Sequence, residues 1–161
     1  KFNKLTYSIG KLIRLSELIN SLLKDSLKRY LSKNSINEIV ERNSKCRELK
    51  KYDFNKDLSF MQMKQVLSCI IKTDKTLHSL EEFNTVEKRN KFTSDLDNYI
   101  YDRDCYVHGT LFFLYPNYTP ILKVNPPNKV EHYVSLSEKI LWDNVLSYKN
   151  IKSVLSKIWT E

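Results

Sequence analysis

The chain predicts an all-α fold: a bundle of five or six helices with one small irregular or hairpin insertion at about 116–135. Three observations lead there. Only two glycines and four prolines occur in 161 residues, too few for the tight turns of a sheet-rich fold. Apolar residues recur at three- and four-residue steps over long stretches, the period of helices buried on one side. Two segments, Ser35-Ile36-Asn37-Glu38 and Ser59-Phe60-Met61-Gln62, set a serine three residues ahead of Glu or Gln, a spacing that closes a helix N-terminus reciprocally. With 41% hydrophobic and 29% charged residues the composition is globular, and the length suits a single domain over 1–161. That domain can equally be part of a longer chain, since residue 1 is Lys rather than Met.

Residues 4–31 form the clearest helix. Leu5, Ile9, Leu12, Ile13, Leu15, Leu18, Ile19, Leu22, Leu23, Leu27, Tyr30 and Leu31 give it a wide apolar face suited to the centre of a core or a dimer contact. A polar break at Ser32–Asn34 follows, and the Ser35 box then opens a more polar helix to about residue 50. Asp53–Asp57 reads as a loop. The Ser59 box begins a helix with Phe60, Met63, Leu67, Ile70 and Ile71 on one side. Ser79-Leu80-Glu81-Glu82 is another start signal, placed before a long helix with the row Val86, Phe92, Leu96, Tyr99, Ile100 and Val107. The dense run Leu111–Tyr115 fits either the last turns of that helix or a short buried strand, which periodicity cannot separate. Ile121–Val124, a turn at Asn125–Asn128 and Lys129–Val134 make a small hairpin. A final helix carries Ile140, Leu141, Val145 and Leu146, then Ile151, Val154, Leu155, Ile158 and Trp159.

Composition excludes some functions and favours others. No apolar run approaches the roughly 18 residues needed to cross a bilayer, and the Lys-studded amphipathic start lacks the apolar core of a signal peptide. The net charge of +8 favours anionic partners, nucleic acid first, although basic residues spread along the whole chain also fit a merely solvated surface. Cys46, Cys69 and Cys105 are odd in number and far apart, which reads as unpaired thiols in a reducing, cytoplasmic compartment. They form no C-x-x-C pair, and His78, His108 and His132 supply no zinc spacing. No metal and no cofactor is expected.

The segment with the most chemical content is Arg103-Asp104-Cys105-Tyr106-Val107-His108-Gly109. Arginine is always charged and its planar fork suits a phosphate; histidine exchanges protons near neutrality. Arg103 falls on the row of Leu96, Ile100 and Val107, so its guanidinium emerges from an apolar stripe. Such a group needs a carboxylate, an anionic ligand or a subunit boundary, and Asp97 and Asp102 are nearby acids. Asp104 and His108, four apart, can meet on one helical face. Arg103 and His108 are five apart, roughly 140° around an ideal helix. They converge on one phosphate only if the helix bends or ends near Gly109, or if two protomers combine their residues.

The Arg-x4-His spacing, with a polar Asp104 after the arginine and a setting of long helices, resembles the R-x4-6-H signature of the HEPN (higher eukaryotes and prokaryotes nucleotide-binding) superfamily. The likeness is carried by the motif and by the helices over about 59–115. It implies a homodimer whose two motifs share a cleft, and metal-independent RNA cleavage with the ribose 2′-OH as nucleophile. His108 would be the general acid/base, Arg103 would hold the scissile phosphate, and Asp104 would orient His108 or its bound water. Tyr99, Tyr101, Tyr106 and Tyr115 flank the motif and are candidates for stacking RNA bases. The family setting implies a toxin or antiviral effector, with an antitoxin or regulatory partner. Some relatives carry a regulatory tyrosine two residues after the histidine, where this chain has Thr110. Two rival expectations stand beside this one. The first is a non-catalytic helical module for dimerisation or for binding a partner or nucleotide, with Arg103 in a structural ion pair. The second is a basic helical nucleic-acid binder without cleavage.

Overall fold

The computed structural model describes residues 2–125 and 130–158, without the side chains of Phe2 and Asn3. It is mostly helical, with five α-helices, two short 3-10 segments and a three-stranded antiparallel sheet, so the expected all-α bundle with a small insertion holds. The helices are α1 (Phe2–Lys33), α2 (Ile36–Arg42), α3 (Phe60–Thr73), α4 (Val86–His108) and α5 (Glu138–Ile158). Strands β1 (Thr110–Leu114), β2 (Thr119–Val124) and β3 (His132–Ser135) lie between α4 and α5.

Local signals placed most helix starts correctly. Ser35 accepts from the Glu38 amide while Glu38 reaches back to the Ser35 amide, and Ser59 and Gln62 do the same for α3. The helix expected to run to residue 50 stops earlier. Asn43 turns extended and its side chain caps a separate 3-10 helix, Ser44–Lys51. The start expected at Ser79 is also corrected, since α4 begins at Val86 with Thr85 as its cap. The Ser79 hydroxyl donates backwards to the Thr76 carbonyl instead of capping forwards. Phe83 folds inward against Phe92, ring centroids 5.3 Å apart, and a buried aromatic there holds residues 80–84 in turns that no helix could share.

Helices α1 and α5 run side by side in the same direction. Lys11 lies over the Trp142 ring near their starts, and Ser32 and Lys33 border one cleft with Ile158 at their ends. Helix α4 runs antiparallel to α5, with Tyr99 against Tyr148 and Tyr106 against Asn144. The core between them holds Leu12, Ile19, Leu23, Leu67, Ile70, Ile71, Leu96, Tyr99, Tyr148 and Leu155, all essentially inaccessible. Burying one such aliphatic side chain contributes about 1.5–3 kcal/mol, so these helices are held by tertiary packing far more than by propensity.

The ambiguous run after His108 is a strand, and the sheet therefore starts at Thr110, ahead of the expected 116. Strand β2 is central, and Leu122 and Val124 drive its inner face into the core while Leu111 and Val134 pack beside them. The expected hairpin is β2–β3, with Leu122 opposite Val134; its turn at 126–129, like Trp159, lies outside the described residues. Cysteine usage is corrected too. Cys46 and Cys69 are joined by a disulfide, because α3 packs against the 3-10 helix and brings their Cα atoms to 6.0 Å, within the reach of that bond. Distance along the sequence concealed this. Only Cys105 is free, and it is buried.

Candidate active site

Helix α4 carries the whole motif and runs unbroken to His108. Its end is set by Gly109, whose amide donates to the Cys105 carbonyl at 2.8 Å. A Cβ at Gly109 would collide with that same carbonyl oxygen and press on Leu122 of β2. Glycine stands beside the histidine so that the sheet can pack against the helix end, which is a packing requirement rather than a catalytic one.

An unbroken helix fixes the relation of the two motif residues. Arg103 and His108 stay about 140° apart around the axis, with Cα atoms roughly 8–9 Å apart from helical rise and radius. Within one protomer they do not converge. Arg103 points toward α3, with its guanidinium carbon 5.1 Å from the Phe60 ring centroid. Nη1 donates to Asp104 Oδ1 at 2.8 Å, and about a quarter of the side chain stays accessible. Nε is buried with no hydrogen-bond partner among the described residues. His108 is exposed and makes no hydrogen bond or ion pair among the described residues.

Asp104 thus serves Arg103, and its carboxylate makes no hydrogen bond to His108. The other nearby acids do not replace it: Asp97 pairs with Lys64 at 2.7 Å. Asp102 faces the α5 side with Tyr99 and Tyr106, three and four residues away on one row, and forms no ion pair or hydrogen bond among the described residues. Burial without a compensating partner lifts its carboxyl from 3.8 to about 6. The Tyr148 hydroxyl, also buried and without a hydrogen-bond partner, is pushed far up by desolvation first and by the charge of Asp102 second.

The tyrosines expected at the site divide. Tyr99 is fully buried and donates its hydroxyl to the Ser16 carbonyl at 3.1 Å, so it is a core residue and out of reach of any base. Tyr106 is likewise buried and accepts from Asn144 Nδ2 at 2.7 Å; desolvation pushes its hydroxyl up to about 12. Both expectations are corrected for one reason, that these residues lie on the rows of α4 that face α1 and α5. Tyr101 is exposed, stacks on His132 with rings 14° from parallel, and shares a 2.7 Å hydrogen bond with its Nε2. Tyr115 is the most open of the four but sits at the tip of the β1–β2 hairpin.

Sequence reasoning named Asp102 only as an acid near Arg103 and missed its burial, which its three- and four-residue spacing to Tyr99 and Tyr106 could have shown. Two further participants were missed outright. Phe60 and His132 reach the motif only through tertiary packing, and no local signal marks them. Among the described residues no group of three or more His, Cys, Asp or Glu side chains is placed to hold a metal ion, and no helix is long and apolar enough to cross a membrane. Compared with protein-family models, with curated proteins and with solved structures, the chain matches none.

Proposed function

We propose that this chain is a HEPN-type, metal-independent RNA endonuclease that acts as a toxin or antiviral effector in the cytoplasm. The observation that carries the reading is His108, which stands exposed, with no hydrogen bond or ion pair among the described residues, at the end of the helix that also presents Arg103. An imidazole so placed is free to exchange protons with a substrate. The net charge of +8 supports an anionic substrate. In the reaction, His108 takes the proton of a ribose 2′-OH as that oxygen attacks the adjacent phosphorus. Arg103 offsets the charge that builds on the phosphoryl oxygens, and the 5′-oxygen leaves by taking a proton from water, giving a 2′,3′-cyclic phosphate. DNA, lacking the 2′-OH, resists. Since Arg103 and His108 diverge on one helix, the working site combines Arg103 of one protomer with His108 of another in a homodimer.

A second reading is favoured by one contact. The Arg103–Asp104 pair partly satisfies the guanidinium without any ligand, as expected of a non-catalytic module for dimerisation or partner binding. A single assay separates the two. Wild-type protein, His108→Ala and Arg103→Ala are incubated with mixed cellular RNA in EDTA, and product ends are analysed. Cleavage by wild type alone, leaving cyclic-phosphate ends, is the expected result. Folded, dimeric wild type that leaves RNA intact sinks the nuclease reading in favour of the interaction module.

A further inference from the structure

Counted back from His108 by three, four and seven residues, the same row of α4 carries Cys105, Asp104 and Tyr101. Each of the three side chains can hold a proton, and two of them are occupied otherwise. Cys105 is buried, and Asp104 is paired with Arg103. Tyr101 is 52% exposed. Burial first, then the charge of the Cys105 thiol and a hydrogen bond with it, raise the Tyr101 hydroxyl above its ordinary 10.0. The hydroxyl therefore keeps its proton until a strongly basic oxygen develops beside it, and it turns toward Cys105, the side nearer His108. Seven residues set the two Cα atoms about 10.5 Å apart along the helix axis and only about 20° apart around it. Cys105 is three residues from His108, so a hydroxyl at its level stands roughly one turn from the imidazole.

His132 meets Tyr101 from β3, and the contact does more than cover a sheet edge. The rings stack 14° from parallel, which any two aromatic residues could supply. The nitrogens are placed as well: Nε2 shares a 2.7 Å hydrogen bond with the Tyr101 hydroxyl, and the Val130 carbonyl faces Nδ1 at 3.4 Å. A carbonyl only accepts, so Nδ1 keeps its hydrogen and Nε2 is the nitrogen that trades a proton with Tyr101. An exposed hydroxyl backed by an oriented imidazole is the arrangement of an acid that is reloaded after use.

We propose that Tyr101, backed by His132, is the general acid that protonates the leaving 5′-oxygen in the reaction begun by His108. The inference rests on the nuclease reading, and it supplies from the protein the proton otherwise drawn from water. The 2′-oxygen bonds to phosphorus as His108 takes its proton. The bond from phosphorus to the 5′-oxygen breaks as the Tyr101 phenolic proton passes to that oxygen, and protonated His132 returns a proton to Tyr101 through Nε2. His108 ends with one proton more and His132 with one fewer, and exchange with water resets both. Arg103, about 140° away around the helix, still comes from the other protomer. Each site then takes its base and acid from one chain and its arginine from the next.

The test compares a short RNA that wild type cuts at one bond, in EDTA, with the same RNA carrying sulfur in place of the 5′-oxygen at that bond. A thiolate leaves without a proton, so the sulfur substrate dispenses with the acid and keeps every other demand. Tyr101→Phe and His132→Phe retain the rings and their stack. On the oxygen substrate Tyr101→Phe is expected to lose on the order of 10²–10⁴-fold in rate, the worth of a general acid, and His132→Phe a smaller part of it. On the sulfur substrate both should match wild type, while His108→Ala stays slow on both. Variants that cut the oxygen substrate as fast as wild type, or that are slowed equally on both substrates, overturn the proposal and leave the nuclease reading standing. A folded, dimeric wild type that cuts neither substrate removes the nuclease reading and the proposal with it. Should His132→Phe fail to fold, Tyr101→Phe, which deletes one exposed hydroxyl, decides alone.

Discussion

Asp102 makes a stability prediction with a definite sign. Its carboxyl titrates at 3.8 in the unfolded chain and at about 6 in the fold, raised by burial. Below the lower value both states hold the proton, and the residue has no effect on stability. As pH climbs through this window the folded state holds on to a proton that the unfolded state has released. Stability therefore falls with rising pH and the penalty is complete above about 6. At 1.36 kcal/mol per pH unit the full penalty is about 3 kcal/mol; the carboxyl keeps some contact with water, so about 1–2 kcal/mol is the working expectation. Asp102→Asn removes the charge and keeps the shape. It should stabilise the protein at pH 7.5 by that amount, a rise in Tm of about 3–6 °C for a chain of this size, and leave stability at pH 3.5 nearly unchanged. Urea unfolding of both proteins across pH 3.5–8 reads the difference directly. A variant that is equally or less stable at pH 7.5, or a difference that does not shrink below pH 5, would refute the placement of Asp102 as an unpartnered buried acid.

Two further substitutions probe the motif helix. Gly109→Ala drives a methyl into the Cys105 carbonyl and Leu122, and overpacking of this kind should cost about 1–3 kcal/mol in chemical denaturation; a neutral result would mean that the helix end and β2 are not in contact. Asp104→Asn breaks a half-exposed ion pair and should change stability by less than about 1 kcal/mol. Under the nuclease proposal it should slow cleavage through loss of Arg103 orientation while leaving the pH–rate profile in place. A displaced profile would instead tie Asp104 to His108.

What the sequence revealed of the fold depended on how local the cause was. The Ser35 and Ser59 caps are closed by residues three positions away, and both were readable. The apolar rows of α1 and α5 were readable for the same reason, since helical period is a property of the segment itself. Thr85 was passed over for Ser79 because the choice between two capping residues is made by Phe83, and the pull on Phe83 comes from the core. The Cys46–Cys69 bridge and the strand character of Leu111–Tyr115 depend on partners 23 residues off along the chain and on β2. Neither leaves a local trace. At the site, the semi-buried position of Arg103 followed from its row, but its partner did not. Asp104, Asp102 and Asp97 are all within reach in sequence, and tertiary packing decides: Asp97 is taken by Lys64 of α3, which leaves Asp104 to Arg103.

The setting of Arg103 bears on why an arginine is there at all. Its contact with Phe60 contributes about 0.5–1 kcal/mol at a partly exposed site, and the pair with a half-exposed Asp104 adds about 0–1 kcal/mol. Against these stands a buried Nε with no acceptor, a loss of about 1–3 kcal/mol. The gains of about 0.5–2 kcal/mol and the loss of about 1–3 kcal/mol nearly cancel, and an unbranched apolar side chain on the same row would cover Phe60 without orphaning a donor. Folding alone thus gives only a weak reason for arginine at position 103. Under the nuclease proposal there is a further one, because a phosphate would take up the open part of the fork that Asp104 leaves, and stability forgone at a site is the usual mark of a residue held for its chemistry.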